Sequence, residues 1–96
     1  MAEKEIQIRL DEETAKGAYA NLAVITHNEN EFIFDFVFAH PTQGSVVSRV
    51  ITSPGHAKQL LGALNENLGK YEATFGKIKE PKQPPPPQIG IQLSNN

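Results

Sequence analysis

Residues 53–78 read SPGHAKQLLGALNENLGKYEATFGKI, and the rest of the chain has to be fitted to them. Leu61, Leu64, Leu68, Tyr71, Phe75 and Ile78 recur at alternating steps of three and four, with Ala57 in phase before them. That spacing sets one apolar stripe along an α-helix. Ser53 suits the N-cap, and Pro54 the first helical position, where a missing N–H leaves no intrahelical bond unmade. Gly76 supplies the stop, because a left-handed cap is open to a residue without a Cβ. A helix of about six turns is long for a chain of 96 residues, so the upstream residues are expected to provide a surface for its stripe.

Four upstream segments read as strands. Residues 5–10 alternate strictly, with Ile6, Ile8 and Leu10 on one side and Glu5, Gln7 and Arg9 on the other. This is the pattern of a half-buried edge strand. Residues 11–17 follow as a cap, one helical turn and a glycine exit, too short for a helix stable by itself. Residues 19–27 and 31–39 are the next two strands, joined by Asn28-Glu29-Asn30. The second carries Phe32, Phe34, Phe36 and Phe38 at every other position, which only a strand places on one face. Residues 40–44 form a loop with turn chemistry, and residues 45–52, rich in β-branched side chains, form the fourth strand. Short connections between consecutive strands point to an antiparallel meander.

The loops suggest registers. With His27 opposite Glu31, Leu22 meets Phe36 and Val24 meets Phe34. With Ala39 opposite Ser45, Phe38 meets Val46, Phe34 meets Val50 and Asp35 meets Arg49. One face then holds Ala20, Leu22, Val24, the four phenylalanines, Val46 and Val50, a seat for the helix. Burial there is worth roughly 1.5–3 kcal/mol for each large apolar side chain. The opposite face, with Tyr19, Asn21, Ile25, Ile33, Asp35, Val37, Arg49 and Ile51, is too apolar to be simply solvated. A second copy of the chain is the economical cover, so a homodimer is expected.

Composition bounds the function classes. Ninety-six residues allow one modest core, and 39% hydrophobic with 21% charged residues is ordinary for a globular chain. No apolar run approaches the roughly 20 residues of a membrane span, and the charged start lacks the apolar core of a secretory signal. No membrane partner is expected. The absence of cysteine excludes disulfides, thiolate metal sites and thiol nucleophiles, and fits a cytoplasmic location. Residues 1–40 hold three Lys/Arg against eight Asp/Glu (−5), and residues 41–96 hold six against three (+3). That split can orient an assembly, but it is not the basic footprint of a nucleic-acid binder. After Glu80, Pro81 and Pro84 to Pro87 favour polyproline II, so residues 80–96 are expected to be a disordered tail behind a single domain of residues 1–79. The alternating Ile89 to Leu93 stretch is the one part of that tail able to add to a sheet edge.

Candidate constellations are few. His27, His40 and His56 are 13 and 16 residues apart, wider than local metal signatures, and surface histidines explain them. No metal and no cofactor are expected. Ser53, Gly55 and His56 open a helix, where free N–H groups can hold an anion, with Arg49 and Lys58 near in sequence; ordinary capping explains the same residues. Gly55, Gly62, Gly69 and Gly76 fall seven apart, a spacing that suits either close approach by a partner helix or chance. Asn21, Asp35 and Arg49, with Tyr19 at the edge, are the most informative set. An ion pair at an oligomer contact is the main reading, and a ligand site around Arg49 the alternative. No nucleophile lies beside them, so catalysis ranks last.

Ala20-Asn21, Glu31-Phe32, Asp35-Phe36, Pro41, Ser48-Arg49, Tyr71-Glu72 and Phe75-Gly76 occur in an order and spacing that resembles the small prokaryotic proteins catalogued as domain of unknown function 3467. The resemblance covers residues 5–78 and implies a prokaryotic cytosolic protein without supplying an activity. The expectation is therefore an α+β domain, a four-stranded antiparallel meander with one long C-terminal helix packed on one face. Its expected role is that of a homodimeric, non-enzymatic binding or assembly module, with a small-ligand or anion-binding protein as the alternative.

Overall fold

The computed structural model describes residues 5–80. Its elements are α1 (Glu12–Ala15), β1 (Leu22–His27), β2 (Phe32–His40), β3 (Gln43–Thr52) and α2 (Pro54–Phe75). The chain divides into two compact units between Leu61 and Gly62, a boundary that falls within α2.

Among the described residues, the first unit holds an antiparallel sheet of three strands in the order β1-β2-β3, not four. Residues 5–10 carry no regular secondary structure, and Ile6 and Ile8 are 83% and 88% exposed. Alternation records that a segment is able to pair; it does not supply the edge to pair with. Between this segment and β1, Asp11 caps α1 by accepting the Thr14 N–H, and Gly17 leaves it at a φ of 75°.

The β1–β2 register lies one residue from the expected one. Asn28 donates its N–H to the Glu31 carbonyl, and its Oδ1 accepts the N–H groups of Asn30 and Glu31. The turn therefore takes in Glu31, and His27 pairs with Phe32. A shift of one residue exchanges the faces of a strand. Ile25 thus lies opposite Phe34, and Ala23 opposite Phe36, whereas Leu22 meets Val37 and Val24 meets Asp35.

The β2–β3 pairing begins as expected, with Phe34 opposite Val50 and Asp35 opposite Arg49. Beyond Phe36 the partner jumps from Ser48 to Val46, which leaves Val47 as a bulge. The hairpin closes at His40 and Gln43, around Pro41-Thr42 rather than a five-residue loop. Phe38 accordingly faces Ser45, not Val46.

Among the described residues only Phe34, Val37 and Asp35 are buried. The helix starts as read: Ser53 Oγ accepts the His56 N–H. It also ends as read, with Gly76 at a φ of 96° and its N–H on the Glu72 carbonyl. Its side chains depart from the expected packing. No residue of α2 is buried, and Leu61, Leu64 and Phe75 are 59%, 54% and 73% exposed. A seven-residue repeat identifies one face of a helix, but nothing in it says whether the cover comes from the same chain.

Candidate functional site

Asp35 and Arg49 meet because β2 and β3 share a register that puts both on the face away from the phenylalanines. Arg49 Nε donates to Asp35 Oδ1 at 2.6 Å, and Nη2 donates to Oδ2 at 2.9 Å. The fork matches the carboxylate with two parallel bonds, an arrangement stronger and more directional than a single contact. Asp35 is fully buried, flanked on its face by Ile33, Val37 and, across the ladder, Val24. The Arg49 side chain is half exposed.

The Arg49 hydrogen bonds hold the Asp35 carboxyl below the ordinary carboxylate range; burial opposes this, and the guanidinium charge reinforces it. The same hydrogen bonds, and then the carboxylate charge, raise the Arg49 value above its ordinary one. An ionised carboxylate with both oxygens engaged is a poor proton acceptor, so the pair suits positioning better than acid–base chemistry.

Asn21 does not join the pair. Its Nδ2 donates to the Ala39 carbonyl at 3.1 Å, its Oδ1 accepts the Ala39 N–H at 2.9 Å, and its own N–H donates to the Val37 carbonyl. The side-chain amide thus stands in for a peptide group and carries the pairing one step past the start of β1. Tyr19 is also elsewhere: its ring meets Phe38 edge-on at 6.0 Å between centroids. The four residues singled out by sequence are divided between an ion pair, a ladder extension and an aromatic contact.

At the start of α2, Ser53 Oγ is engaged as the cap, while Gly55 and His56 lie in the first turn. His27 stacks on Phe32 at 5.2 Å and His40 meets Phe38 edge-on at 4.5 Å, so two histidines lie against phenylalanines on the sheet. Among the described residues no group of three or more His, Cys, Asp or Glu side chains could hold a metal, and no helix is long and apolar enough to cross a membrane.

The apolar stripe of α2, expected from sequence to be core, lines a groove instead. In the second unit, Leu64, Leu68, Tyr71, Phe75 and Ile78 line a shallow open groove along α2. Tyr71 and Phe75 lie 5.0 Å apart, and Glu72 Oε2 accepts the Ile78 N–H, which returns Ile78 to the groove after the helix has ended. The i to i+6 bond from Ile78 to Glu72 has no periodic signal in the sequence, although Glu72 is among the residues that carried the family resemblance. No curated protein and no solved structure matches the chain. The sequence model for the family described as "Protein of unknown function (DUF3467)" matches residues 1–80, and the chain belongs to that family.

Proposed function

We propose that this chain is a non-enzymatic assembly module, working as a homodimer in which two copies bury their α2 stripes against each other. The observation that carries the reading is a 22-residue helix with no buried residue and an apolar stripe in open view. Helices in proteins owe most of their stability to packing of an apolar face, and the interior glycines Gly62 and Gly69 weaken this one by about 1 kcal/mol each. Cover for the stripe would return roughly 1.5–3 kcal/mol per large side chain. The stripe is also narrow. Leu61, Leu64, Leu68, Tyr71 and Phe75 follow a strict three–four alternation, the seam of a helix pair rather than the broader face that packs on a sheet.

The small core of the first unit points the same way, since two buried apolar side chains contribute little against the entropy of ordering a sheet. The exposed apolar side chains of β3, Val46, Val47, Val50 and Ile51, add surface that association would cover. A cysteine-free chain is compatible with the cytoplasm. The alternative, an anion or small-ligand site using Arg49 and residues 53–56, has less behind it, because two guanidinium nitrogens and the Ser53 hydroxyl already have partners.

Sedimentation equilibrium at micromolar concentration tests the reading. The native chain is expected at twice 10.6 kDa, and Leu64→Asp with Leu68→Asp at the single-chain mass. A native monomer would overturn the dimer. A dimer that survives both substitutions would move its seam away from the stripe.

A further inference from the structure

Resting on the dimer reading, we propose that residues 5–10 of each copy complete the sheet of the other, pairing along the free edge of β3. Three observations converge. Ile6, Ile8 and Leu10 alternate with Glu5, Gln7 and Arg9, the pattern of a strand with one covered face, yet all three apolar side chains are exposed in the single chain. Second, among the described residues β3 pairs only with β2, and its other edge offers N–H and C=O groups as a template for strand addition. Third, that edge is the more apolar of the sheet's two: Val46, Val47, Val50 and Ile51 are exposed along β3, against Leu22 and Ile25 along β1.

The bulge limits where the strand can lie. Val47 interrupts the regular spacing, and the longer uninterrupted part of the edge is residues 48–52. Five residues from Ile6 to Leu10 match that length. With the apolar side chains on the face of Ser48, Val50 and Thr52, they continue the phenylalanine face, where Val50 already lies opposite Phe34. The charged side of the segment then falls on the other face. Because the exchange is mutual, each copy gives one strand and receives one, and the assembly closes as a two-fold dimer without a free donor.

The cysteine-free chain permits a direct test. Chains carrying Ile8→Cys are mixed with chains carrying Ser48→Cys, Val50→Cys or Thr52→Cys, then oxidised mildly. A covalent species at twice the chain mass with at least one partner position supports the proposal, and the position that links best reports the register. Amide exchange at those of residues 48–52 whose N–H groups point away from β2 is expected to be slow in the native chain and at least tenfold faster with Ile8→Pro, which lies outside the elements formed by the single chain. If the Ile8→Cys/Val50→Cys double variant closes within one chain, the exchange between copies is overturned. If no position links and Ile8→Pro leaves exchange unchanged, while the native chain sediments as a dimer, the added strand is overturned and the helix seam stands. A native monomer overturns both readings together.

Discussion

Arg49 grips Asp35 with two nitrogens, yet the two partners live in different surroundings: the Asp35 side chain is 0% exposed and the Arg49 side chain 51%. That asymmetry governs what each substitution does. Arg49→Ala leaves an uncompensated carboxylate in a buried position, whereas Asp35→Ala leaves a cation that water can reach. Arg49→Ala is therefore expected to lower Tm by roughly 10 °C or more, and Asp35→Ala by less. Thermal unfolding of both variants and of the double variant gives the order; equal, additive losses would contradict a buried pair.

The same pair sets an acid limb. Asp35 has a folded-state pKa below its unfolded one, so the unfolded chain takes up its proton first as pH falls. Its contribution is complete above the ordinary carboxylate value of about 3.9 and is lost as pH drops through the lowered folded-state value. Asp11, lowered by hydrogen bonds from Thr14, acts in the same direction. Tm of the native chain is expected to be level near neutrality and to fall below about pH 4, with a shallower fall in Asp35→Asn.

Asn21→Ala removes both bonds that its amide makes to Ala39. Two hydrogen bonds at about 0.5–1.5 kcal/mol each suggest a loss of roughly 1–3 kcal/mol. The local sign is sharper than the global one: the Ala39 amide should lose protection from exchange while the Asp35 amide keeps its own.

Of the glycines in and after α2, Gly69 and Gly76 should respond oppositely to alanine. Gly76 sits at a φ of 96°, where a Cβ is strained, so Gly76→Ala should cost about 1–2 kcal/mol. Gly69 has open space around its missing Cβ, so Gly69→Ala should stabilise the helix by up to about 1 kcal/mol. Circular dichroism on heating reads both signs. If Gly69→Ala instead weakens association, a partner backbone approaches at that position.

What the sequence disclosed follows from which forces are local. The α2 limits were legible because Ser53, Pro54 and Gly76 act through their own backbone geometry. The Asp35–Arg49 pair was legible because four phenylalanines at every second position allow only one side for Asp35, and the opposite parity would put Arg49 against a ring. The partner of β1 was misplaced by one residue, because the side chain of Asn28 closes the turn on both Asn30 and Glu31, and alternation alone carries no information about that bond. The strand expected at residues 5–10 was read from the same kind of alternation, which is equally satisfied by an edge in another molecule. Asn21 was grouped with Asp35 through that misplaced register, when its amide was extending the ladder. The packing of the α2 stripe is a matter between elements, and a heptad pattern leaves it open.

The bulge at Val47 has a consequence for chain length. On its helix side, pairs across β2 and β3 are set by Phe34 and Val50; on its turn side, by His40 and Gln43. Each set is internally regular, and a single residue separates the two countings. Loss of Val47 would therefore merge them into one continuous ladder, leaving the Pro41-Thr42 turn and the Asp35–Arg49 pair where they are. Loss of Val46 in its place would leave the same sequence and the same ladder, because both residues are valine. Relatives one residue shorter between Gly44 and Arg49 would thus be able to keep both the turn and the ion pair, and an alignment gap would belong at the bulge.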